Sequence, residues 1–200
     1  VDESLRAAWN ERYRSTERLW IAEPDRALVE LVERSRPATA VDLGAGEGRN
    51  ALWLAAQGIA TTAVDVSDIA LERLGSLAAE RGLVVERVHA SIEEFASSRR
   101  RFDLVVLANM HPPSHERPQL WQAAWGLVAP GGRLFLIGHH VDGLGVAGPP
   151  DPDRLLRESD VEQVFSPEFI EELRVVSDVA DHGHVAPSLV AILHRPENDV

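Results

Sequence analysis

The ten residues Val41-Asp-Leu-Gly-Ala-Gly-Glu-Gly-Arg-Asn constrain this chain more than any others. They read as a strand end, a glycine turn and a helix start, with the acid Asp42 just ahead of the first glycine. Glycines at 44, 46 and 48 let the backbone approach a ligand where a Cβ would collide. Dinucleotide-binding folds favour G-x-G-x-x-G, with the third glycine one position later. The G-x-G-x-G spacing found here favours a small ligand without a pyrophosphate.

Composition narrows the function classes. Two hundred residues suit one domain with its own core, and 44% hydrophobic with 26% charged residues is ordinary for a soluble globular chain. With zero cysteines, disulfides, thiolate metal sites and cysteine nucleophiles drop out. All basic residues are arginine, which removes lysine general bases, Schiff-base chemistry and the P-loop lysine. A formal net charge of −12 works against a nucleic-acid partner, whose affinity rests on cationic neutralisation. The run Arg99-Arg100-Arg101 reads as a solvated loop. No stretch is long and apolar enough for a membrane span, and the polar start does not resemble a signal peptide, so a cytoplasmic setting is expected.

Along the chain, helix and strand patterns alternate. Ser4 to Arg14 and Asp25 to Arg34 read as helices, with Trp9 and Tyr13 on one side of the first. Strands are expected at 39–43, Thr61 to Val64, Val84 to Val88, Phe102 to Ala108 and Arg133 to Ile137. Helices are expected at Arg49 to Gln57, Asp68 to Arg81 and Ser114 to Val128, with Pro118 in the first turn of the last. Residues 138 to 153 are rich in glycine and proline and read as an irregular loop. Ser166-Pro167-Glu168 is a cap-and-proline start that predicts a helix through Leu173. Val175 to Ala180 and Leu189 to Leu193 then read as antiparallel neighbours. The expected architecture is α/β: a doubly wound, mostly parallel seven-stranded sheet, helices on both faces and an antiparallel C-terminal strand pair. One domain is expected over 1–200: a helical cap (1–36), a ligand-binding core (37–138), then a substrate-side loop and final strands (139–200).

Five motifs stand in order. They are Asp42-Leu-Gly-Ala-Gly, Val64-Asp65-Val66-Ser67, His89-Ala90-Ser91-Ile92, Phe102-Asp103-Leu-Val-Val and Pro130-Gly131-Gly132. Together they resemble the core of the class I, Rossmann-like methyltransferases that use S-adenosylmethionine (SAM). Gly-Glu-Gly-Arg-Asn-Ala, with Trp9, Tyr13 and Trp20 upstream, is similar to the small bacterial tellurite-resistance and thiopurine methyltransferase-like branch. Two departures stand out: Ser91 occupies the place of the usual acid near the adenine amino group, and Asn109-Met110-His111-Pro112-Pro113 does not resemble the Asn/Asp-Pro-Pro-Tyr/Phe motif of amino-directed enzymes.

The resemblance implies SAM as cofactor, with S-adenosylhomocysteine (SAH) as product, and a small-molecule acceptor. Asp42, Gly44, Gly46 and Arg49 would serve the methionine end. Asp65, at the end of the second strand and about twenty residues past the first glycine, would hold the ribose diol, as the acid does in nucleotide folds. Val66 and Ile92 would sandwich adenine, with Ser91 at its edge, and Asn109 would join the cofactor-binding residues where they border the substrate. His111 and His139, at the carboxyl ends of the fourth and fifth strands, are the candidate catalytic residues. His140, beside His139, shares that edge. Each has a plain alternative as loop polarity. Arg49 either meets the cofactor carboxylate or starts its helix exposed. Trp9, Tyr13 and Trp20 form either an aromatic lid or a packing seam, whereas Trp121 and Trp125 read as core. His182 and His184 lack a third ligand, so no metal is expected. A SAM-binding protein without turnover remains the alternative function, and a nicotinamide oxidoreductase the third. The acceptor's identity and the oligomeric state stay open.

Overall fold

A computed structural model describes residues 2–16, 23–179 and 185–198, with the side chains of 178 and 179 excluded. Trp20, His182 and His184 lie outside the described residues. Helices α1 (Glu3–Arg14) and α2 (Arg26–Ser35) lead into β1 (Thr39–Leu43). There follow α3 (Arg49–Ala56), β2 (Ala60–Asp65), α4 (Asp68–Glu80), β3 (Val85–His89), α5 (Ile92–Ala96), β4 (Phe102–Ala108), α6 (Arg117–Trp125) and β5 (Val128–His139). After α7 (Glu158–Val164), strands β6 (Ile170–Val179) and β7 (Val185–His194) complete the sheet.

The strand order is β3-β2-β1-β4-β5-β7-β6. The first five strands are parallel, and β7 runs antiparallel between β5 and β6. The chain reverses its direction of travel across the sheet between β1 and β4. Open α/β sheets bind ligands outside the carboxyl ends of the strands at such a switch point.

Both sheet faces are covered, which is why β4 is almost continuously apolar. Against one face, α5, α6 and α7 bury Ile92, Phe95, Trp121, Trp125 and Phe165. Trp121 and Trp125 are core, with ring centroids 6.4 and 5.8 Å from Phe165. On the other face, Leu28, Leu31 and Leu54 of α2 and α3 pack on Leu104, Val106 and Phe135.

The C-terminal third corrects one expectation. Ser166-Pro167-Glu168 starts only a 3-10 turn, Pro167–Phe169, and the chain is already β-strand at Ile170. Nine residue pairs with β7 outweigh a local helix-start signal. Two short helices, α5 and α7, were not expected. The loop before α7 is also more ordered in pattern than its glycine content implies, with 3-10 turns at Val141–Gly143 and Pro152–Arg154.

Candidate functional site

The site is built around the turn that follows β1. Gly44, Gly46 and Gly48 have φ of 68°, 54° and 85°, the left-handed region that other residues resist. A Cβ on Gly44 would lie 2.6 Å from the Met110 sulfur, and one on Gly48 would lie 2.5 Å from Leu74. The turn is thus pressed between the end of β4 and helix α4, and side chains are excluded from it on both counts.

Asp65 ends β2 and grips this turn. The Gly46 N–H donates to its Oδ2 (2.8 Å), and the Ser67 N–H donates to its Oδ1 (2.8 Å). The residue is 7% exposed. Burial pushes its carboxyl up, while the donors at Ser67 and Gly46 pull it down. Each oxygen carries one of these donors, and a carboxylate has room for about four. Two hydroxyls on adjacent carbons could therefore bind without displacing the turn. Asp42 lies deeper, 3% exposed, and accepts from the Ala51 N–H in the first turn of α3 (3.1 Å). Loss of solvation raises its carboxyl to about 7, against the opposing pull of Arg49.

Arg49 is neither exposed nor pointed freely into the cleft. Its guanidinium pairs with Asp25 at 3.1 Å, and the Asn50 amide donates to the same carboxylate (3.0 Å). It fastens the start of α3 to the segment before α2. Ser91 caps α5: its hydroxyl accepts from the Glu94 N–H (3.2 Å) while Glu94 returns to the Ser91 N–H (2.9 Å). Ile92 is buried beside it, and Val66 is half-buried. The His89 ring reaches the Val66 carbonyl (2.9 Å), which ties the ends of β2 and β3 together.

The other wall comes from the ends of β4 and β5. Asn109 has φ of 56°, left-handed and stabilised by its N–H donating to the Ile137 carbonyl (2.7 Å). The two candidate histidines stack, with ring centroids 5.1 Å apart and planes 13° from parallel. His111 Nε2 accepts from the His139 backbone N–H (3.0 Å), and the His111 ring also bonds the Asn109 carbonyl. Burial, then the neighbouring His139 and Arg117, lower its pKa to about 3. With its Nε2 lone pair taken by the His139 N–H, the neutral His111 ring braces the ends of β4 and β5 against each other. His139 is 7% exposed, with Gly148 of the covering loop against its ring. His140 turns away to Glu158 (3.1 Å).

Several residues that carry the site had no sequence signal. Arg117, 3% exposed, binds Asp160 (2.6 Å) and the carbonyls of Leu155 (3.1 Å) and Asp153, so it laces the segment after β4 to the loop before α7. Arg154 donates to the His111 carbonyl (3.0 Å). Trp9 and Tyr13, which the sequence does single out, have ring centroids 6.1 Å apart, and Tyr13 is the buried aromatic of α1. Arg73 joins the end of α1 to Glu47 in the glycine turn, and Asn10 joins α1 to Ser67 and Asp68 at the start of α4. Among the described residues, no group of three or more His, Asp or Glu converges as a metal site requires, and no helix is long and apolar enough to cross a membrane.

Residues 40–132, from β1 to the turn within β5, match the family described as "Methyltransferase domain". This part of the chain is similar to methyltransferase domains. The matched region contains the glycine turn, Asp65, Ser91 and Asn109, and the helical segment before it and the loop after it lie outside. No curated protein matches the chain by sequence. Solved structures do match. One is a protein studied for the conversion of a disulfide bond into a thioacetal group during echinomycin biosynthesis (TM-score 0.81, 20% identity, 98% of this chain and 93% of that one). A second is TehB from Haemophilus influenzae (0.71, 16%, 95% and 66%). A third is the 1,6-didemethyltoxoflavin-N1-methyltransferase of Burkholderia thailandensis, with 1,6-didemethyltoxoflavin and S-adenosylhomocysteine bound (0.73, 22%, 96% and 87%). At these identities the likeness to the methyltransferase domain is one of fold.

Proposed function

We propose that this protein moves a methyl group from SAM to a small-molecule acceptor in the cytoplasm. One observation carries the cofactor assignment: the carboxylate of Asp65 holds the glycine turn from the neighbouring strand while keeping acceptor capacity on both oxygens. That arrangement suits a nucleoside whose ribose meets Asp65 and whose amino-acid end lies along Gly44 and Gly46. Val66 and Ile92 would flank the adenine, with Ser91 at its edge. Asp42 and Arg49 act behind the turn, fixing α3 and Asp25. The SAH-bound Burkholderia neighbour supports the cofactor, and its toxoflavin ligand supports a small acceptor. A net charge of −12 favours the same acceptor class over nucleic acid.

When bound, SAM supplies a methyl already activated by a positive sulfur. The chain's task is to align an acceptor in line with it and to keep water out. Orientation of this kind contributes roughly 7–11 kcal/mol, against about 10²–10⁴-fold for a general base. Accordingly, the residues assigned to the acceptor side are positioning groups first. His111 braces the wall through its bonds to His139 and Asn109, and His139 and Asn109 border the acceptor. Trp9 and Tyr13 on α1 close the cofactor side.

Calorimetric titration of SAH tests the cofactor site. Wild type binds, and Asp65→Ala lowers affinity at least 100-fold; equal affinities would refute the ribose assignment. Turnover of methyl-labelled SAM offered thiols, oxyanions and phenols separates transfer from binding without turnover.

A further inference from the structure

Helix α1 is held unlike the other long helices. Only Asn10 and Tyr13 of its twelve residues are buried, whereas α2 buries Ala27, Leu28, Leu31 and Val32. Little apolar area therefore fixes α1, and its attachment rests on hydrogen bonds. Elements held in this way sit at the low-stability end of a fold and open most readily.

Two polar paths run from α1, and both reach Asp65. In the first, the Ser67 hydroxyl donates to Asn10 Oδ1 (2.7 Å), and the Ser67 N–H donates to Asp65 Oδ1 (2.8 Å). Asn10 Nδ2 also donates to Asp68 (2.6 Å), which Arg6 approaches at 3.1 Å. In the second, one arm of the Arg73 guanidinium donates to the carbonyls of Tyr13 (2.7 Å) and Thr16 (2.8 Å) at the C-terminal end of α1. Its other arm donates to Glu47 (2.8 Å) inside the glycine turn. The adjacent Gly46 N–H completes that path to Asp65 Oδ2 (2.8 Å). Glu47 is 8% exposed although it lies in a loop, so the turn itself supplies a buried anchor for Arg73.

We propose that Arg73 is a positioning residue for the cofactor, coupling the docking of α1 to the order of the glycine turn so that nucleoside binding and closure of α1 reinforce one another. The proposal rests on the SAM reading above. A ligand that fixes Asp65 and the turn fixes Glu47, and Glu47 fixes Arg73 in the pose that holds the last carbonyls of α1. By reciprocity, a docked α1 raises ligand affinity by the same factor. The carbonyls at a helix C-terminus lack intrahelical partners and carry partial negative charge, which makes them good acceptors for a guanidinium.

The test is hydrogen–deuterium exchange of the full chain with and without SAH, alongside SAH calorimetry, on wild type, Arg73→Met, Arg73→Lys and Glu47→Gln. In wild type, SAH slows exchange in residues 3–16 as well as in the glycine turn. In Arg73→Met the turn is still protected, α1 is not, and affinity falls about tenfold, within the usual range of coupling. Arg73→Lys keeps the charge on Glu47 but not both carbonyl bonds, and it recovers part of each effect. Should Arg73→Met fail to fold, Glu47→Gln reads the same link from its other end. Wild-type affinity and undiminished α1 protection in both Arg73→Met and Glu47→Gln would overturn the coupling and leave the cofactor site standing. Failure of the wild type to bind SAH would instead overturn the SAM reading and the coupling with it.

Discussion

Individual residues in this protein often do work that their type does not announce. His111 has the chemistry of a base and the surroundings of a strut, because its Nε2 lone pair receives the His139 amide. Removing that acceptor leaves a buried donor unsatisfied, at a cost of about 1–3 kcal/mol. His111→Phe should lower stability by that amount in urea unfolding, and a loss near zero would contradict the brace. Asp42 and His111 also give opposite pH dependences. The Asp42 carboxyl is raised from 3.8 to about 7. Its contribution is fully present below pH 3.8 and is lost as pH climbs to about 7, because the unfolded chain ionises first. The His111 ring is lowered from 6.5 to about 3. Its contribution is present above pH 6.5 and is lost as pH falls towards 3. Between roughly pH 4 and 6.5 the two slopes oppose each other. Asp42→Asn keeps an oxygen for the Ala51 amide and should unmask the histidine slope, so that apo stability rises with pH across that window. A urea-melt series in which Asp42→Asn tracks wild type at every pH would show that Asp42 is ionised throughout.

Among the elements, the two walls of the cleft differ in what fastens them. The glycine turn is fixed by backbone shape, and its space is taken. Gly48→Ala meets Leu74 and a left-handed φ of 85° together. It should cost more than the roughly 1 kcal/mol of an ordinary glycine replacement and should weaken SAH binding as the turn shifts. Calorimetry and thermal melts report both. The wall at the ends of β4 and β5 is fixed instead by one buried cation, Arg117. Arg117→Met leaves Asp160 with only the Arg157 N–H and frees the carbonyls of Asp153 and Leu155, and losing the buried cation in this way costs up to about 3 kcal/mol. Limited proteolysis should then cut within residues 141–157 sooner than in wild type. Much of this was legible beforehand and some was not. The unbroken apolar run Phe102–Ala108 announces a strand covered on both faces, and G-x-G-x-G with Asp65 places the cleft. Arg117 was invisible because its partners lie about forty residues away in a loop without periodicity. Ser166-Pro167 misled because a cap signal is local, while the strand that displaces the helix is dictated by β7. Short α5 and α7 offer too few turns for a periodic pattern to register.

Across the whole molecule, position in sequence and position in space part company at one strand. β7 follows β6 in the chain yet lies between β6 and β5. As the polypeptide leaves the ribosome, the crevice between β1 and β4 can assemble from residues already made, but the flank of β5 stays open and β6 has nothing to pair with. β7 satisfies two rows of amides at once, one against β5 and one against β6. A nascent chain stalled before β7 would therefore carry a nearly complete cleft beside a raw, adhesive edge along β5.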